Sequence, residues 1–175
     1  ILFYGMTVMS DALKSLNSDG LIDNILKSVN NPFIGLLLGM VITAIIQSSS
    51  ASVGILMALG AAGAIGLEQA IFMVYGMNLG ATMPAFLSAA GAKRNAKQVA
   101  VLNMLITLSG VILLVPVTML LPVAETIEKI LPGNVAAQIS AAHIFFNVVM
   151  MIVLLPISNL LVKLTQKILP YHEDD

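Results

Sequence analysis

Gln47-Ser48-Ser49-Ser50-Ala51-Ser52 is a polar patch set inside a long apolar run. Pro32 to Ile46 precede it, Val53 to Leu67 follow it, and no charged residue stands between Lys27 and Glu68. An amide or hydroxyl left without a partner in hydrocarbon costs on the order of several kcal/mol. Such a patch persists only where its groups find partners, in protein or in a ligand. The stretch therefore reads as a binding site at membrane depth.

Composition sets the frame. The chain has 175 residues, 58% hydrophobic and 10% charged, with a mean hydropathy of +0.98. A soluble domain is about 25% charged, so this is expected to be a multi-pass protein of the plasma (inner) membrane. A net charge of −1 suggests no nucleic-acid partner. Without cysteine there is neither a disulfide framework nor thiolate chemistry. Ile1-Leu2-Phe3-Tyr4-Gly5 has no basic stretch of the signal-peptide kind and reads as the interior of a longer chain.

Outward from the patch, Asn31-Pro32 is a helix start, with Asn as N-cap and Pro at the first position. The arms on either side of the serines are each about 15 residues, near 22 Å at helical rise. One arm is short for a bilayer core of about 30 Å. Two short arms joined by a polar bend predict a re-entrant helical hairpin over 32–66. Gly35 and Gly39 form a small-xxx-small pair suited to close helix approach. Before it, 1–31 predicts the end of a helix and an interfacial helix over 20–29, with Leu21, Ile22, Ile25, Leu26 and Val29 on one face.

After the hairpin, Gly76-Met77-Asn78-Leu79-Gly80-Ala81-Thr82-Met83-Pro84 interrupts the apolar stretch 67–92 and predicts a discontinuous helix. Two interrupted hydrophobic segments in one chain point to a transporter's substrate site. Lys93, Arg94 and Lys97 form a basic loop, cytoplasmic by the positive-inside rule. A two-helix hairpin is predicted over 98–169: Val99 to Leu121, kinked at Pro116, then a loop from Pro122 to Val135, then Ala136 to Val162. Lys163 and Lys167 return the chain to the basic side. The fold class expected is all-α, a polytopic membrane protein whose 175 residues form one transmembrane unit.

The chemistry follows from helix ends. A helix starting just after the bend presents N–H groups without intrahelical partners at the positive end of its dipole. An oxyanion can sit there without Arg or Lys, and these segments contain neither. Carbonyl ends and hydroxyls are hard oxygen ligands that suit a hard cation such as Na+. Asn78, Gly80 and Thr82 add oxygens and a close backbone approach at the second interruption.

The run from Gly39 to Ser52, Gly-Met-Val-Ile-Thr-Ala-Ile-Ile-Gln-Ser-Ser-Ser-Ala-Ser, is followed some thirty residues later by Gly76-Met77-Asn78-Leu79-Gly80-Ala81-Thr82. Together they resemble the type II sodium-dependent phosphate cotransporter family, whose hallmark is a Q-S-S-S hairpin followed by a G-x-N-I-G-T-T break. The likeness extends to Ala142-His143-Ile144-Phe145-Phe146-Asn147. It implies sodium-coupled symport of inorganic phosphate. Ser48, Ser49, Ser50, Asn78 and Gly80 would then contact substrate, and Gln47, Ser48, Ser52 and Thr82 would contact sodium. Leu79 replaces the usual Ile, and Ala81 lacks a hydroxyl that the family commonly has. The family carries two inverted repeats, each with its own Q-S-S-S; this sequence holds one, more like the second repeat because of Ala51-Ser52-Val53. The resemblance implies a partner, either a second repeat of the same polypeptide or a second copy in a homodimer, which the Gly35–Gly39 face would join.

Two other readings stand beside this one. A sodium-coupled carboxylate carrier also uses paired hairpins, with Ser-Asn-Thr tips that are absent here. An intramembrane serine hydrolase would pair a serine with His143, the one titratable group inside a predicted span. No G-x-S-x-G surrounds the serines, so the chain is not expected to be an enzyme.

Overall fold

A computed structural model describes residues 2–16, 29 and 31–170. The expected interfacial helix over 20–29 lies outside the described residues except for Val29. All regular structure among them is helical: α1 (Leu2–Leu16), α2 (Pro32–Ile46), α3 (Ser49–Ala61), α4 (Leu67–Gly80), α5 (Met83–Ala89), α6 (Arg94–Leu120), α7 (Val123–Ile130), α8 (Val135–Leu154) and α9 (Ser158–Ile168). Leu67–Ala89, Arg94–Leu120 and Val135–Leu154 are long and apolar enough to cross a bilayer, and the protein is a membrane protein.

α4 is the axis of the fold. From Ala70 to Met77 it is apolar on nearly every face, and a helix of that kind must be surrounded. Ala70 through Met77 are all buried. Tyr75, 0% exposed, joins three helices: its hydroxyl lies 2.7 Å from Thr118 Oγ1 on α6, and its ring packs 5.0 Å from that of Phe146 on α8.

The closest packing is between α4 and α2. A Cβ added to Gly39 would overlap the Met73 carbonyl oxygen, one added to Gly76 the Leu36 carbonyl oxygen, and one added to Gly80 the Met40 carbonyl oxygen. The two backbones touch through glycines spaced four apart on both helices. This corrects the expectation for the Gly35–Gly39 face: it is buried against α4 of the same chain and is not open to a second copy.

The contacts also fix direction. Gly35 lies by Phe72 and Gly80 by Thr43, so α2 and α4 run the same way. Gly60, near the end of α3, lies by Val135 and Ile139 at the start of α8. Tyr75 contacts both Phe146 and the late α6 residue Thr118, so the starts of α4 and α8 lie at the same end. α2 and α3 thus leave and return to that end, and their junction lies about one turn beyond the Gly80 level, about 25 Å along an α4–α5 span of about 34 Å.

Three sequence expectations change. Gly76 to Gly80 are helical, and the irregularity is confined to Ala81–Thr82, both still in right-handed helical conformation. Their glycines serve helix contact, and Pro84 sits in the first turn of α5, where a missing N–H is harmless. The expected loop from Pro122 to Val135 contains α7, which buries Ile127 and exposes Glu125, Glu128 and Lys129. The expected span Ala136 to Val162 ends at Leu154, because Pro156 cannot donate to the helix ladder, and α9 starts afresh at Ser158. α6, in contrast, continues through Pro116.

Candidate functional site

The polar patch is the two-residue junction between α2 and α3. Asn31 Oδ1 accepts the Phe33 N–H at 2.9 Å and opens α2 beside Pro32. The helix closes at Gln47, whose φ of 59° is left-handed, with its N–H on the Thr43 carbonyl at 2.7 Å. Ser48 is extended and caps α3: its Oγ accepts the Ala51 N–H at 3.3 Å and lies 3.3 Å from Ser50 Oγ. The first carbonyl bond of α3 comes from Ser52 N to Ser48 O, 3.0 Å. The N–H groups of Ser49 and Ser50, earlier in that turn, are the natural donors for an anion.

The hydroxyls divide by role. Gln47 and Ser50 are exposed at the junction, and Ser48 and Ser49 half-buried. Ser52 is buried and donates its hydroxyl to Ser48 O at 2.9 Å. Thr82, 2% exposed, donates to Leu79 O at 2.7 Å. With their protons directed at carbonyls, both oxygens have only lone pairs left to offer, which suits a cation. Asn78 donates one amide N–H to Val74 O at 2.9 Å, leaving its carbonyl oxygen and second N–H.

Gly80 brings the second motif onto α2 at Met40 and Thr43, one turn before Gln47. Thr43 is the residue that the sequence reading missed. It is 0% exposed, and its Oγ1 has no hydrogen-bond partner. Among the described residues the other buried serine and threonine hydroxyls, on Ser52, Thr82, Thr107 and Thr165, each donate to a backbone carbonyl. An orphaned oxygen between the two motifs fits a hard-cation ligand. The available signal was its register, four residues after Gly39 and four before Gln47. Among the described residues no three His, Cys, Asp or Glu side chains cluster, so the oxygens here are neutral ones. His143 is half-buried on α8, where its carbonyl accepts from Asn147 Nδ2 at 2.8 Å.

Known proteins are similar to this chain in sequence. A protein of Bacillus subtilis (strain 168), "Uncharacterized protein YqeW", is 38% identical over 135 residues, covering 77% of this chain and 43% of the relative. "Putative inorganic phosphate export protein YjbB" of Escherichia coli (strain K12) is 36% identical over 121 residues, covering 69% of this chain and 22% of the relative. Its namesake in Salmonella typhimurium is 29% identical over 134 residues, covering 76% of this chain and 24% of the relative. The chain thus spans less than half the length of these relatives. No solved structure matches it significantly. Residues 1–133 match the profile described as Na+/Pi-cotransporter, and on that match the chain belongs to the Na+/Pi-cotransporter family.

Proposed function

We propose that these 175 residues are one repeat unit of a sodium-coupled symporter of inorganic phosphate in the plasma membrane. The unit divides into an N-terminal stretch over 1–31, the hairpin 32–66, the helix pair 67–92 and the segment 98–169. In this reading α2 and α3 form a re-entrant hairpin whose tip stops inside the bilayer. A second, inverted repeat of the same polypeptide, or a second copy, closes the site over the exposed Gln47 and Ser50. The observation that carries the reading is the tip itself: an α-helix start with serine hydroxyls and free N–H donors, no basic residue, and hydroxyl lone pairs directly behind.

Phosphate is held by Ser48, Ser49, Ser50 and Asn78, through hydroxyl, amide and backbone N–H donors; Gly80, expected from the sequence to contact substrate, is instead packed against Met40 and Thr43. Sodium is held by oxygens of Gln47, Ser48, Ser52 and Thr82, with Thr43 Oγ1 close by. Neutral donors around an anion leave its charge uncompensated at low dielectric, and a neighbouring cation lowers that cost. This is the physical reason for coupling the two. The name of the Escherichia coli and Salmonella relatives as phosphate export proteins favours a second reading for net direction: the same site working outward. The two readings share ligands and differ in which gradient drives the flux.

The test is labelled phosphate uptake into proteoliposomes bearing the complete polypeptide, with and without a sodium gradient. Uptake should depend on sodium, and Ser49→Ala should reduce it strongly. Sodium-independent flux would end the coupling, and full activity of Ser49→Ala would end the assignment of the tip. Preloaded phosphate leaving against an inward sodium gradient would mark export, because sodium symport cannot drive that movement.

A further inference from the structure

At the opposite end from the hairpin's open arms, α5, α6 and α9 enclose a groove of about 420 Å³. Its walls include Phe86, Leu87, Ala90, Val101 and Ile168, and one charged residue, Lys97. Gln98 Nε2 donates to Leu169 O at 2.7 Å and ties α6 to the end of α9, which fixes the width of the groove. The volume falls within the range of about 300–1,000 Å³ typical of ligand sites, yet the lining offers almost no polar group to orient a small polar molecule.

Charge supplies the missing information. Lys93 is one helical turn before Lys97 on α6, and Lys163 and Lys167 are one turn apart on α9, with Lys167 adjoining the groove residue Ile168. No Asp or Glu occurs between Glu68 and Glu125, nor between Glu128 and Glu173. Glu68 starts α4 and Glu125 and Glu128 sit on α7, a helix length away from this end. α9 is itself amphipathic, exposing Leu160, Leu164 and Ile168 as well as the two lysines, as interfacial helices do. A second groove, of about 460 Å³ between α2 and α6, has purely apolar walls around Phe33, Val115 and Met119 and no charged residue among them. Of the two, only the first groove has a charged residue in its apolar lining, Lys97, with Lys93 one turn before it and Lys167 next to Ile168 in sequence.

We propose that the α5–α6–α9 groove binds an anionic phospholipid of the leaflet on the Lys93 side, one acyl chain lying in the slot and the headgroup phosphate between Lys97, Lys93 and Lys167. Basic pockets between transmembrane helices at the cytoplasmic face recognise lipid headgroups in this way. The site shares no residue with the proposed phosphate site at the hairpin tip.

The experiment is native mass spectrometry of the complete polypeptide in detergent, titrated with phosphatidylglycerol or phosphatidylcholine of identical acyl chains. Phosphatidylglycerol should be retained preferentially. Lys97→Gln with Lys167→Gln should weaken it by roughly fivefold per lysine and leave phosphatidylcholine unchanged. Val101→Trp should fill the slot and reduce both. Unchanged thermal unfolding of each variant keeps the comparison one of binding. Equal retention of the two lipids overturns the proposal, as does indifference to the lysine changes. Competition by millimolar inorganic phosphate would make the rim a free-anion site and likewise overturn it, and so would retention of neither lipid, which means that the rest of the protein covers the groove.

Discussion

Gly76→Ala adds one carbon atom where the structure has no room. The new Cβ would overlap the Leu36 carbonyl oxygen and lie 2.7 Å from the Leu36 carbonyl carbon and 2.9 Å from the Met40 nitrogen. All three are backbone atoms, so no rotamer change relieves the contact, and α2 must move off α4. Alanine gains about 1 kcal/mol over glycine as a helix residue. Overpacking of a tight interface costs about 1–3 kcal/mol, and rigid backbone contacts belong at the upper end. The balance is a loss of about 1–2 kcal/mol, or roughly 2–8 °C in unfolding temperature for a unit of this size. Gly54→Ala is the matched control, because a Cβ there meets nothing within 4 Å; it should be neutral or stabilising. Both variants of the complete polypeptide are compared in detergent by thermal unfolding and by retention of a monodisperse peak. If Gly76→Ala tracks Gly54→Ala, the glycine dovetail is not what holds the hairpin on α4.

Thr43→Val removes an orphaned hydroxyl at nearly constant volume, and relief of an unsatisfied group is worth about 1–3 kcal/mol. It should raise the unfolding temperature without sodium and abolish any sodium-dependent stabilisation; a fall in stability would mean that the hydroxyl has a partner. Gln47→Gly keeps the left-handed turn at φ 59° without a Cβ, so the fold should hold while the sodium dependence of transport weakens; wild-type sodium activation would remove Gln47 from the site. Tyr75→Phe deletes the 2.7 Å contact to Thr118 but keeps the ring packing, for a loss of about 1 kcal/mol. Thr118→Val should cost about the same and the double variant no more, and additive losses in that cycle would dismiss the bond.

Much of this was written in periodicity and polarity. The α2–α3 junction was legible because serines between apolar arms have few structural uses, and Asn31-Pro32 marks the start of α2 by capping chemistry alone. The second interruption misled because glycine has two uses that sequence does not separate: breaking a helix, and admitting another helix. Gly76 and Gly80 do the second, and the matching four-residue spacing of Gly35 and Gly39 was the clue that the two pairs belong together. The same ambiguity sent the Gly35–Gly39 face to a second copy, since spacing shows that a face is tight and not whose backbone fills it. Pro156 was hidden by hydropathy, which runs on through Leu154, Leu155 and Ile157 while the hydrogen-bond ladder stops.

Thr43 and Gln47 stand one helical turn apart, and each breaks a local rule. A non-glycine residue in the left-handed region costs roughly 1–2 kcal/mol, and a glycine at 47 would avoid it. A buried hydroxyl without a partner costs about as much, and a valine at 43 would avoid that. Each cost has a one-residue remedy compatible with the surrounding backbone, so neither is forced by the fold. Local violations of this kind are expected where a ligand, absent from the isolated chain, supplies the missing interaction. Both side chains carry hard oxygens, and the Gly80 contact sets the second motif against the same turn. In the proposed reading a hard cation would take the Thr43 and Gln47 oxygens together and give the neighbouring serine N–H groups a counter-charge against which an oxyanion can settle.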